Sequence, residues 1–90
     1  NLLAARTKQT QGEVINIACG YAITVNAIID MINDMVGKQV KPVYADPRPG
    51  DVKHSLADIT LAQSLIGFRP IVSFEEGLQK AIEWYRDNLL

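Results

Sequence analysis

The chain has 90 residues, about 0.6 of a typical single domain, so at most one domain is expected. Nine Lys and Arg against ten Asp and Glu leave a net charge of −1, which argues against nucleic acid or an anionic membrane surface as a partner. With 48% hydrophobic and 21% charged residues the composition is that of globular material, and no window approaches the roughly 18 consecutive apolar residues of a membrane span. A single cysteine, Cys19, excludes an intrachain disulfide, and a single histidine, His54, excludes a multi-histidine metal site. The apolar start Asn1 to Ala5 is too short for a secretory signal and is followed directly by Arg6 and Lys8. The expectation is a soluble protein of a reducing, cytoplasmic compartment. Its core is marginal without a partner, because a chain this short buries only about 60% of its unfolded surface.

Asn1 to Ala5, or a little beyond, reads as the end of a helix, and Gln9 to Gly12 as a polar turn. Glu13 to Ala18 has the β-branched residues Val14, Ile15 and Ile17 of a strand, and Cys19 to Ile23 is a loop at its carboxyl end. Thr24 is placed to cap a helix from Val25 to Val36, in which Val25, Ile28, Ile29, Ile32, Met35 and Val36 form one apolar face. Asn26, Asp30, Asn33 and Asp34 face the other way, and Gly37 stands where a left-handed residue ends a helix. A second strand is expected over Pro42 to Ala45, then a stiff loop from Asp46 to Asp51. A short helix capped by Asp58 or Thr60 follows, stopped by Gly67 and kept from resuming by Pro70. Ser73 and Glu76 have the spacing of a capping box that opens a last helix running to near Asn88, with Leu78, Ala81, Ile82, Tyr85 and Leu89 as its buried stripe.

The fold class expected is α/β, with two short strands and three to four helices, the helices dominating. A two-stranded sheet is marginal by itself, and the strand-loop-helix unit from Glu13 to Val36 has the form of a βα half-unit without neighbouring strands. Either the helices make a small cluster or the piece packs on a larger sheet; the second is the expectation.

The chain has no glycine fingerprint for a dinucleotide, no Walker loop and no recognised nucleophile elbow. Asp30 and Asp34, one helical turn apart, could bind a cation, although a solvated helix face is the plainer reading. The most informative stretch is Arg48-Pro49-Gly50-Asp51-Val52-Lys53-His54-Ser55-Leu56-Ala57-Asp58. Its prolines lower the entropy lost on fixing the loop, and Gly50 permits close approach of a ligand to backbone. Arg48 supplies a planar five-donor fork suited to phosphate oxygens, and Asp51 an acceptor-only carboxylate suited to neighbouring sugar hydroxyls. Together they match a nucleoside diphosphate. The residues by themselves also read, more plainly, as a Pro-Gly turn with a local ion pair of little worth. His54 and Ser55 could reach a ligand or simply be surface residues; Cys19-Gly20 could meet a ligand or form an ordinary turn. Trp84 lies off the main stripe of the last helix.

Five motifs occur in one order: Gly12 to Gly20, Thr24-Val25-Asn26, Asp46 to Asp58, Leu65-Ile66-Gly67-Phe68 and Ser73 to Leu78. In that order the chain resembles the carboxyl-terminal part of the NAD-dependent nucleotide-sugar epimerases and dehydratases, extended short-chain dehydrogenases/reductases, and most of all the UDP-glucose and UDP-N-acetylglucosamine 4-epimerase type. The resemblance covers nearly the whole chain, and Arg-Pro-Gly-Asp followed by Ser-Leu-Ala-Asp is its most diagnostic part. It implies a UDP-sugar-binding region in which Arg48 contacts the pyrophosphate and Asp51 the ribose. It implies NAD in the parent enzyme, held on an amino-terminal Rossmann domain with a Tyr-x-x-x-Lys pair, and a reaction that inverts sugar C4 by oxidation and hydride return. Neither Tyr21, Tyr44 nor Tyr85 has lysine four residues on, so no catalytic, cofactor-binding or metal-binding residue is assigned here, and the fragment alone should be inactive. The partners expected are the UDP-sugar, the Rossmann domain and, through surface that domain would cover, a second copy in a homodimer or domain-swapped oligomer. Two rivals stand beside this reading: a self-standing protein-interaction module, and the same domain from a nucleotide-sugar 4,6-dehydratase or decarboxylase.

Overall fold

The computed structural model describes residues 1–89. In chain order the helices are α1 (Leu2–Arg6), α2 (Val25–Val36), α3 (Thr60–Ile66) and α4 (Phe74–Leu89). They belong to two compact units: Asn1–Tyr21 with Leu56–Ile71, and Ala22–Ser55 with the stretch from Val72 onward.

The expected α/β class is corrected by this structure: among the described residues there is no strand. Residues 13–18 and 42–45, the two expected strands, are irregular connections. A strand exists only through a partner that takes up its amides and carbonyls, and β-propensity records fit to a pleated, half-buried surface more than a preference of the backbone. Neither segment has such a surface, since Val14 is 91% and Val43 95% exposed. Local side chains hold these stretches instead. The Glu13 carboxylate accepts the Gln11 amide at 2.6 Å, which lowers its pKa below the usual glutamate value.

In the first unit α3 carries the buried core, formed by Ile59, Ala62 and Ile66. The geometric N-cap is Ile59, which has no polar side chain, and Asp58 supplies the missing acceptor from one residue earlier. Its Oδ1 takes the Thr60 hydroxyl at 2.6 Å and the Thr60 amide at 2.9 Å. Those bonds, the hydroxyl first, hold the Asp58 carboxyl below the usual aspartate range. Gly67, at φ 64°, ends the helix, and the Phe68 amide reaches back to the Ala62 carbonyl at 3.2 Å. The Thr7 hydroxyl after α1 donates to the Leu65 carbonyl at 3.2 Å. Gly20 packs against this core at φ 77°, and a Cβ there would lie 2.9 Å from Ile59 Cδ1.

In the second unit α2 has the predicted bounds, opened by Thr24 Oγ1 accepting the Ala27 amide at 3.1 Å and closed by left-handed Gly37. It packs on α4. No residue of either helix is fully buried, and the expected stripe residues Tyr85 and Leu89 are 55% and 66% exposed. Half of the capping box forms: Ser73 Oγ accepts the Glu76 amide at 3.2 Å. The Glu76 carboxylate does not return the bond but takes the Lys80 ammonium one turn on, at 2.7 Å.

Candidate functional site

The Asp46–Asp51 loop belongs to the second unit, and its geometry begins at the end of α2. Gly37 turns the chain out of the helix, with the Lys38 amide bonded to the Asn33 carbonyl at 2.9 Å. The Asn33 side chain then holds the outgoing segment at Val40 by both backbone groups of that residue. Nδ2 donates to the Val40 carbonyl at 2.9 Å, and Oδ1 accepts the Val40 amide at 3.0 Å. Further along, the Tyr44 hydroxyl donates to Asn26 Oδ1 at 3.4 Å.

Beyond Tyr44 the loop ends in a tight reverse turn. The Asp51 amide donates to the Arg48 carbonyl at 3.2 Å across Pro49 and Gly50. Proline in the second position and glycine in the third, at φ 89°, are the requirements of a type II turn. That turn brings the two predicted site residues together: Arg48 Nε lies 3.5 Å from Asp51 Oδ2. With the Arg48 side chain 85% and the Asp51 side chain 59% exposed, the pair contributes between zero and about 1 kcal/mol to stability. Both groups are therefore accessible to a ligand without a large cost for separating them. A guanidinium and a carboxylate on one short turn offer charge for phosphate oxygens beside acceptors for hydroxyls.

The other residues singled out in the sequence are dispersed. His54 and Ser55 are exposed on the segment that follows the turn. Asp30 and Asp34 are exposed on α2, and no group of acidic, histidine or cysteine side chains suited to a metal ion occurs among the described residues. Cys19 is an exposed free thiol in the first unit. With Gly20, Asp58, Thr60 and Gln63 it lines a groove of about 520 Å³ in that unit. Trp84 stands edge-on to Tyr85, with ring centroids 5.4 Å apart. The residues that sequence reasoning missed are Asn26 and Asn33, grouped there with the solvated face of α2. Their seven-residue spacing, two helical turns, was the available signal.

No protein-family model matches the chain. Among curated proteins it is 36% identical over 78 residues to UDP-glucuronate 4-epimerase of Thermodesulfobacterium geofontis, matching 86% of this chain and 24% of that one. It is 30% identical over 77 residues to UDP-glucose 4-epimerase of Mycolicibacterium smegmatis, matching 86% of this chain and 25% of that protein. Among solved structures it superposes over its whole length on UDP-glucose 4-epimerase of Thermotoga maritima, crystallised with UDP-glucose, with a TM-score of 0.90 and 40% identity. The match covers 28% of that chain. This chain thus spans about a quarter of the length of the relatives it matches.

Proposed function

We propose that the chain, as a piece of the carboxyl-terminal region of the NAD-dependent nucleotide-sugar epimerases, forms the UDP-sugar-binding portion of a UDP-sugar 4-epimerase. The observation that carries this reading is the turn that pairs Arg48 with Asp51, in a chain 40% identical to an epimerase solved with UDP-glucose. On binding, the Arg48 guanidinium leaves Asp51 and bridges oxygens of the pyrophosphate. The Asp51 carboxylate, released in turn, accepts hydrogen bonds from ribose hydroxyls. Because the free pair is weak, the exchange costs little, and the two prolines have already restricted the loop. The part of the nucleotide that does not react is then held fixed while the sugar moves.

These 90 residues contain neither a glycine-rich dinucleotide fingerprint nor a Tyr-x-x-x-Lys pair, so they do not fit NAD and no proton or hydride step is assigned to them. Oxidation and reduction at C4 are work for a Rossmann domain in the intact cytoplasmic enzyme. The surface of this chain supports such a neighbour. It exposes 8090 Å², whereas a folded monomer of 9.9 kDa is expected to expose about 5200 Å². Among the apolar residues left uncovered are Val14, Ile71 and Val43, each more than nine-tenths exposed.

Calorimetric titration of the natural polypeptide containing this chain with UDP and with UDP-glucose tests the reading. Binding of both is expected, and Arg48→Ala should weaken it by roughly 10- to 150-fold, since a charge-assisted contact is lost. A protein-interaction module would give no heat with either nucleotide, and an unchanged affinity in Arg48→Ala would overturn the assignment.

A further inference from the structure

We propose that Asn33, with Asn26 and Tyr44, positions the nucleotide-binding turn by pinning the arm that carries it against α2. The inference rests on the binding role given above to Arg48 and Asp51, and it assigns to α2 a task that its own packing does not require.

Asn33 presents one donor and one acceptor to the one acceptor and one donor of Val40, at 2.9 and 3.0 Å. A side-chain amide thereby replaces the neighbouring strand that residues 40–44 lack. Asn26 lies seven residues earlier in α2, on the same face and about 10 Å along the axis. Its partner Tyr44 follows Val40 by four residues, a span of at most about 14 Å when fully extended. The chain between the pins runs back along the helix it has just left. Pro42 has its φ fixed and no amide to satisfy, and Lys41 before it is driven to extended geometry. Beyond the second pin, Pro47 and Pro49 impose the same restriction on Asp46 and Arg48. An arm pinned at two points and stiffened by three prolines leaves few rotations between Asn33 and Asp51. Where it is pinned decides where the guanidinium and carboxylate stand. Without the pins the nucleotide itself would have to order the arm, and affinity would fall by the entropy of doing so.

The test uses Asn33→Ala and Tyr44→Phe in the natural polypeptide, with Arg48→Ala alongside, read by UDP-glucose calorimetry and by amide hydrogen exchange. Asn33→Ala is expected to raise Kd about fivefold to thirtyfold, with the loss in binding entropy and the binding enthalpy largely kept. Exchange should quicken at Val40 and Asp51 and stay unchanged at Ile66. Tyr44→Phe deletes one hydroxyl from a side chain that is already exposed, so it keeps the fold even if Asn33→Ala does not. It should raise Kd about twofold. Wild-type affinity and wild-type Asp51 exchange in both variants would overturn the positioning role while a weakened Arg48→Ala leaves the binding role intact. If the wild-type chain does not bind UDP-glucose, both fall.

Discussion

The two units of this molecule divide their resources differently. The first holds the buried apolar residues found among the described residues, Ile59, Ala62 and Ile66, in and beside a helix of only seven residues. The second contains the longer helices, of 12 and 16 residues, yet buries none of their side chains completely. Its candidate site is held by amide and hydroxyl hydrogen bonds and by prolines. Apolar burial resists unfolding but tolerates variation in fine geometry. Directional bonds fix geometry while adding little to stability, because each replaces a bond to water. The contrast predicts that changes to the first unit will be seen in stability and changes to the second in recognition.

The largest expected effect sharpens that contrast directly. Ile66→Ala should cost about 2–5 kcal/mol, enough to unfold the first unit. The same substitution at Ile32, which is 37% exposed in α2, should cost less than about 1 kcal/mol, as read from urea midpoints. Equal losses would break the distinction. A cap is next in size: Thr24→Ala removes the acceptor of the Ala27 amide and should destabilise α2 by about 1 kcal/mol, measured by helical ellipticity on heating. Acid should act on the first unit, since both carboxyls whose pKa is lowered, Glu13 and Asp58, belong to it. A carboxyl with a depressed folded pKa contributes stability above its unfolded value, and that contribution disappears as pH falls through the folded one. Stability should therefore drop as pH falls below about 4, and Asp58→Asn should flatten that limb of the titration. The smallest effect is expected at Asp51. Replacing it by Asn should change stability by less than about 0.5 kcal/mol while weakening UDP binding, a separation that equilibrium unfolding and calorimetry on one preparation can resolve.

The helices were legible in the sequence because what makes them is local. Thr24, Gly37, Gly67 and Ser73 each stand at an observed terminus, and the apolar repeat of α2 spans the observed helix. The strands were misread because their defining bonds lie elsewhere in a chain or in another chain. The run Val14-Ile15-Asn16-Ile17 specifies what such a segment would do with a neighbour, and no neighbour meets it among the described residues. The site was half legible. Its residue types and the Pro-Gly turn follow from the sequence, and the turn sets Arg48 against Asp51 as their spacing suggests. Asn33 was overlooked because hydropathy ranks a side chain by its liking for water. It does not record that a carboxamide can match a peptide group atom for atom.

Trp84 is the only tryptophan of the chain, and it lies on α4 in the second unit. Emission from that indole originates in the second unit, whereas far-ultraviolet ellipticity sums over both. Overlaying the two signals during denaturation would show, without any label, whether the halves melt as a single cooperative block or in sequence.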